Sequence, residues 1–105
     1  MIHAEISVYP IGTSTTSASF YIAKGVEAIE NLDGVRYEVN PMGTLLESKN
    51  LEKIFEASKM MTEAIHNLGV KRVEIILKID SRLDKEARLE EKIESLNKYL
   101  KPTTE

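Results

Sequence analysis

The chain has 105 residues and a net charge of −3 at pH 7, with 42% hydrophobic and 30% charged residues. These values are typical of a globular protein, and we expect one domain over residues 1–105. The absence of cysteine excludes disulfides and thiolate chemistry. Scattered basic residues argue against a nucleic-acid partner, and the lack of a long apolar run argues against a membrane. No signal peptide is recognisable, so we expect a cytoplasmic protein.

The first half of the chain predicts a strand, a helix and two more strands. Apolar and polar residues alternate from Ile2 to Tyr9, and Pro10 and Gly12 are expected to end this strand. Five hydroxyl residues, 13–17, offer N-caps for a helix that extends to Asp33-Gly34. The alternating segment 35–39 and the short apolar segment 44–47 then predict two antiparallel strands around a Pro-Met-Gly turn.

The second half predicts a helix, a strand and a last helix. Asn50 is a plausible N-cap for the second helix, and Gly69 is expected to end it. Its predicted buried stripe is Leu51, Ile54, Phe55, Ser58, Met61, Ile65 and Leu68. A fourth strand follows over 70–80, with Val73, Ile75, Leu77 and Ile79 on its apolar face. Leucine and isoleucine at helical spacing from Leu89 to Leu100 then predict a helix that Pro102 ends.

This order predicts an α+β, ferredoxin-like βαββαβ sandwich with a four-stranded antiparallel sheet and an extra C-terminal helix. Two helices should cover one sheet face. The other face would carry a mixture of polar and apolar residues, namely His3, Glu5, Ser7, Tyr9, Arg36, Glu38, Glu74, Ile76 and Lys78. Such a face suits contact with further copies of the chain. We therefore expect a dimer or a tetramer.

The sequence Pro-x-Gly-Thr occurs twice, at residues 10–13 and 41–44, each time after an apolar strand. One interpretation is purely structural, because proline and glycine shape turns and threonine caps backbone groups. The other is a small-molecule site. Hydroxyls at the start of a helix can hold an anion or a polar ring atom, and the carboxylate of Glu47 can accept two hydrogen bonds from an aminopyrimidine.

Four segments of the chain resemble the small YkoF-like thiamine-binding family. They are 8–13 (VYPIGT), 40–47 (NPMGTLLE), 69–73 (GVKRV) and 78–82 (KIDSR). The resemblance implies a ferredoxin-like homo-oligomer, dimer or homotetramer, that binds thiamine or its hydroxymethylpyrimidine moiety and is not an enzyme. It places Thr44 and Glu47 on the characteristic motif, Gly12, Thr13 and Ser17 on the first loop, and Arg82 after the last strand. Members often have glycine after the glutamate, where this chain has Ser48.

Nothing in the sequence predicts a catalytic residue, a metal site or a cofactor. His3 and His66 lie far apart and lack metal-ligand spacing, and Glu90-Glu91 is expected to be a solvated pair on an exposed helix face. Two other functions are compatible with the predicted fold. One is an amino-acid-sensing regulatory module of the ACT type, and the other is an enzyme subunit whose site forms between copies.

Overall fold

The computed structural model describes residues 1–100 and contains four strands and three helices. Their order is β1 (Ile2–Ile11), α1 (Ser19–Glu27), β2 (Arg36–Asn40), β3 (Gly43–Ser48), α2 (Leu51–His66), β4 (Arg72–Ser81) and α3 (Leu89–Asn97). The strands form one antiparallel sheet in the order β2-β3-β1-β4. The predicted ferredoxin-like fold with its extra helix is confirmed. Pro102, the expected end of the last helix, lies outside the described residues.

The core lies between the sheet and the pair α1 and α2. Alternate residues of β1 point into it, and so do Leu46 of β3 and the predicted apolar face of β4. The buried core residues are Ala4, Ile6, Val8, Ile29, Leu46, Ile54, Ala57, Met61, Ile65 and Val70. Because side chains alternate along a strand, the remaining residues of each strand project from the opposite face.

The helix α2 begins where the sequence predicts. The Asn50 side chain accepts a hydrogen bond from the Glu52 N–H at 2.9 Å, as expected of an N-cap. The predicted stripe is partly wrong, because Ala57 is buried whereas Leu51, Phe55 and Leu68 are exposed. Phe55 follows Ile54 directly, so it lies about 100° round the helix from it, beyond the buried stripe.

The first helix is shorter than predicted, and the hydroxyl run does not cap it. The residue before α1 is Ala18, which makes no side-chain cap bond. Thr13 Oγ1 instead donates to the Thr15 carbonyl, and Thr15 Oγ1 accepts from the Ser17 N–H. These local bonds compete with capping. Beyond Ala28 the chain continues in tighter turns, in which the N–H groups of Ile29, Glu30 and Leu32 bond carbonyls three residues earlier.

The strand β1 is longer than predicted, because Pro10 lies within it rather than ending it. β1 pairs with β4 as far as Ile11, but its pairing with β3 reaches only Ile6. One edge of β1 is therefore free around Pro10, and a proline there removes no ladder bond on that side.

The Pro-Met-Gly segment forms the predicted turn, a tight hairpin between β2 and β3. Asn40 Oδ1 accepts from the Met42 N–H at 2.8 Å, and the Ser7 hydroxyl donates to the Met42 carbonyl. A Cβ on Gly43 would lie 3.0 Å from the Ile6 carbonyl oxygen. This close approach of two strands explains why glycine occupies the position.

Candidate functional site

A row of four ionisable residues crosses the whole sheet on the face opposite α1 and α2. The strand register pairs Arg36 of β2 with Glu47 of β3, Glu47 with His3 of β1, and His3 with Asp80 of β4. We call Arg36, Glu47, His3 and Asp80 the ionisable row. Its two central members are almost fully buried, since His3 is 4% and Glu47 3% exposed. Buried ionisable groups require partners, so their contacts define the site.

Glu47 is the centre of the row and accepts hydrogen bonds from three directions. Arg36 Nε lies 3.2 Å from Oε1, and Arg36 Nη2 lies 3.5 Å from Oε2. His3 Nε2 is 3.2 Å from Oε2, and the backbone N–H of Leu89 donates to the same oxygen at 2.8 Å. Glu47 thus joins strands β1, β2 and β3 to the start of α3.

The environment of Glu47 favours its ionised form. Burial alone raises the pKa of the carboxyl, but the Leu89 N–H, the Arg36 guanidinium and the His3 ring together lower the pKa below its ordinary value. Glu47 is therefore a carboxylate at neutral pH. A buried carboxylate with its charge balanced by an arginine is a strong acceptor for further N–H donors.

The helix α3 lies over this row, which corrects the expectation that helices cover one sheet face only. Besides the Leu89 N–H on Glu47, Glu90 binds Arg36 through two hydrogen bonds of 2.6 and 3.0 Å, and Lys92 binds Asp80. Glu90 lies on an exposed helix face, as expected, but it is also bound to Arg36, and this bond lowers the pKa of its carboxyl. No residue of α3 is buried, so polar contacts dominate its attachment.

Two clefts open beside the ionisable row. The larger has a volume of about 500 Å³ and includes Arg36 and Glu47 in its lining. The other lining residues come from the start of the chain, the segment before β2, the β3–α2 connection with the first turn of α2, and the segment before α3, namely Met1, Asp33, Gly34, Val35, Ser48, Lys49, Asn50, Lys53 and Arg88. The smaller, about 210 Å³, lies on the other side of His3 and includes Asp80, Arg82, Lys85 and Lys92. The larger cleft has the volume of a small-molecule site, whereas the smaller one is below the usual volume of such sites.

The structure brings only some of the predicted site residues together. Glu47 and Arg82 both lie beside His3, on either side of it. Thr44 lies three residues before Glu47 and is 2% exposed, but it projects from the opposite sheet face, in line with Ile6. The hydroxyl of Thr44 and the carboxylate of Glu47 therefore cannot contact one ligand from the same side.

The predicted first-loop residues lie at the other end of the sheet. Gly12 and Thr13 line a separate depression with Lys71 and Arg72, and Ser17 is exposed nearby in the chain. Nine residues of strand separate Gly12 from His3, which corresponds to roughly 30 Å. Within one chain these residues are remote from Glu47.

His3 and Arg36 belong to the site, although the sequence does not mark them as site residues. Both were predicted on the polar sheet face, but as parts of a general partner surface. Combining that face with the ferredoxin-like strand order would have placed Arg36, Glu47 and His3 side by side. No local motif marks them, because their contacts with Glu47 span 11 and 44 residues.

The ionisable row holds no arrangement of a nucleophile with a general base. Within residues 1–100 there is also no group of three or more histidine and acidic side chains placed to hold a metal ion. No helix in this range is both long and apolar enough to span a membrane. What the row does offer is a buried carboxylate, an imidazole and a guanidinium at a cleft wall, which suits recognition of a polar ring by hydrogen bonds.

Comparison with known proteins gives a consistent result. A sequence profile described as thiamine-binding protein matches residues 4–97. A protein of Methanothermobacter thermautotrophicus, known only as a UPF0045 protein, is 47% identical over 95% of this chain and 100% of its own length.

Solved structures agree. A hypothetical protein of Methanocaldococcus jannaschii superposes with a TM-score of 0.82 at 38% identity, covering 91% of this chain and 95% of that one. A Thermotoga maritima protein assigned provisionally to thiamine biosynthesis or salvage has the same fold, with a TM-score of 0.73 at 24% identity over 90% and 97% of the two chains. The chain therefore belongs to the thiamine-binding protein family.

Proposed function

We propose that this protein is a non-catalytic, cytoplasmic binding protein for thiamine or its hydroxymethylpyrimidine moiety, with Glu47 as the anchor of the pyrimidine ring. Membership of the thiamine-binding family supports the ligand class. The observation that carries the assignment to Glu47 is its state: the carboxylate is buried, has a lowered pKa and lies on the wall of the larger cleft.

The chemistry of an aminopyrimidine matches this carboxylate. A protonated ring nitrogen and its neighbouring amino group present two N–H donors side by side, and a carboxylate accepts both through charge-assisted bonds. In the structure Arg36 Nε bonds Oε1, and the Leu89 N–H bonds Oε2. The ring would replace the Leu89 N–H on Oε2 and share Oε1 with Arg36, which would keep the charge of the carboxylate balanced.

Such an exchange requires the first turn of α3 to move away from Glu47. The cost is small because α3 buries no residue and its ion pairs are exposed. Arg82 remains a candidate contact through the cleft that shares His3. Gly12, Thr13 and Ser17 would reach the same ligand only if another copy of the chain contributed them, whereas the buried Thr44 lies on the opposite sheet face.

We also propose that the protein acts as a dimer or a tetramer of the 11.8 kDa chain. Apolar side chains on α3 and on the sheet face beside it are half exposed or more, including Ile76, Ile93 and Leu96. Burying them between copies would stabilise a chain of this size. Light scattering at micromolar concentration tests this, and a mass of one chain would contradict it.

Titration calorimetry on Glu47→Gln tests the ring anchor. Gln keeps the shape but replaces one acceptor oxygen with a donor and removes the charge. The affinity for thiamine or hydroxymethylpyrimidine should fall about 10- to 150-fold, because hydrogen bonds to a charged group contribute ~1.5–3 kcal/mol. Glu38→Gln, an exposed carboxylate on the neighbouring strand, is the matched control and should bind normally.

The structure changes one expectation for this variant. The sequence alone suggests that a strand-end carboxylate contributes little to folding, but Glu47 is buried and holds α3. The titration must therefore be run where circular dichroism shows Glu47→Gln to be folded. Equal dissociation constants within about twofold, well inside one charged hydrogen bond, would remove Glu47 from the site. A thermal-shift response to amino acids but not to thiamine would favour the sensing module instead.

A further inference from the structure

The larger cleft beside Glu47 is basic although the chain as a whole is acidic. Its lining contains four basic side chains and two carboxylates, so these side chains carry a net charge of +2. The basic ones are Arg36, Lys49, Lys53 and Arg88, and the acidic ones are Asp33 and Glu47. The whole chain has a net charge of −3. We call the cleft lined by these four basic side chains the basic cleft. We infer that it binds the phosphate group of a phosphorylated ligand whose ring is held at Glu47.

The basic side chains of this cleft are unequally committed to other partners. Arg36 is bound to Glu47 and Glu90, and Lys53 lies 3.2 Å from Glu56. Among residues 1–100, neither Lys49 nor Arg88 forms an ion pair, and both are exposed at the cleft. Two cations that line the cleft and have no ion-pair partner can turn towards an anion without giving up an existing ion pair.

The backbone adds to the same polarity. Ser48, Lys49 and Asn50 line the cleft immediately before α2, a helix of 16 residues. The start of a helix carries partial positive charge, so an anion in the cleft would be stabilised by α2 as well as by the side chains. The negative charge of Glu47 should repel an anion in the cleft only weakly, because Arg36 contacts both carboxylate oxygens.

Size and position restrict the ligand. A volume of about 500 Å³ accommodates a small molecule. Glu47 forms part of the wall, so a ring held by its carboxylate would leave its substituent inside the cleft. The basic residues do not extend into a long stripe, which is what a nucleic-acid backbone would require. A phosphate monoester of the ring ligand fits these conditions better than the free alcohol.

This inference rests on the proposed function, and calorimetry can separate the two. The titrants are thiamine, thiamine monophosphate and inorganic pyrophosphate, each at low and at high salt. We expect the monophosphate to bind about 10-fold or more tightly than thiamine, as for one added charge-assisted contact, and this advantage to shrink at high salt. The double variant Lys49→Gln/Arg88→Gln should bind the monophosphate no more tightly than it binds thiamine.

The control is Lys59→Gln, an exposed lysine on α2 that does not line the cleft. It should behave as the unmodified protein does. If thiamine and its monophosphate bind equally, or the double variant keeps the preference, the basic cleft is not a phosphate site while the proposed function stands. Hydroxymethylpyrimidine is titrated as well. If neither it nor the two thiamine compounds bind, but pyrophosphate binds and the double variant loses that binding, the anion site stands and the proposed function fails. If none of these compounds binds, both fail.

Discussion

The helices α2 and α3 are held in place by different kinds of interaction. α2 buries Ile54, Ala57, Met61 and Ile65 completely and is capped by Asn50, the residue just before it. α3 buries no residue, and its preceding residue, Arg88, makes no capping bond. Its Leu89 N–H is instead bound by Glu47, 42 residues earlier in the chain. α2 is thus encoded locally, whereas α3 depends on the ionisable row.

The largest difference should appear on truncating one apolar residue of each helix. Met61→Ala removes a fully buried side chain and should lower the free energy of unfolding by ~2–5 kcal/mol. Leu96→Ala in α3 removes a side chain that is 52% exposed and should change it by less than about 0.5 kcal/mol. Urea denaturation of the dissociated chain measures both. Equal costs would mean that α3 is packed as α2 is.

The elements that the sequence predicted well are those determined by nearby residues. Apolar periodicity located α2 and the core faces of β1 and β4, and Asn50 marked the start of α2 correctly. Pro41 and Gly43 marked the hairpin, because turn chemistry is local. The errors at Pro10 and in the hydroxyl run arose where a neighbouring strand or a competing side-chain bond decided the outcome.

The site was predicted less completely for a physical reason. Glu47 was identified through its motif, but its partners depend on strand order and on where α3 packs. Glu90 illustrates the difficulty. Its neighbours in sequence are charged, so the local pattern indicates solvent, yet Arg36 on β2 binds it from 54 residues away. Contacts between residues so far apart in the sequence produce no periodic pattern from which they could be predicted.

Acid should release α3 before it unfolds the core. Because the folded-state pKa of Glu47 is lowered from 4.5, its contribution to stability is present above that value and is lost as the pH falls through the lower folded-state pKa. At neutral pH we expect Glu47→Gln to be less stable than the unmodified protein. This gap should shrink in acid, where protonation makes the two side chains similar.

Unfolding free energies of the two proteins, measured from about pH 7 down to about pH 3, provide the comparison. Glu90→Gln serves as a control, because its ion pair with Arg36 is exposed to solvent and should contribute little to stability. A gap between Glu47→Gln and the unmodified protein that stays constant with pH would show that ionisation of Glu47 does not hold α3.

The smallest expected effects concern the starts of α1 and α2. The sequence offers candidate N-caps before both helices, but in the structure a side chain caps only α2 of the two. Asn50 accepts the Glu52 N–H, so Asn50→Ala should cost ~0.5–2 kcal/mol. Ser17 bonds through its backbone N–H to Thr15 and caps no helix, so Ser17→Ala should change stability by less than about 0.5 kcal/mol. Both substitutions remove one polar side chain and leave the core untouched, so thermal unfolding compares them directly. A cost for Ser17→Ala as large as that for Asn50→Ala would mean that the hydroxyl run caps α1 in solution. The Ser17→Ala variant also tests the first loop as a ligand contact. If it weakens thiamine affinity without changing stability, the first loop contacts the ligand. Because this loop lies roughly 30 Å from His3 along β1, that contact must come from another copy of the chain.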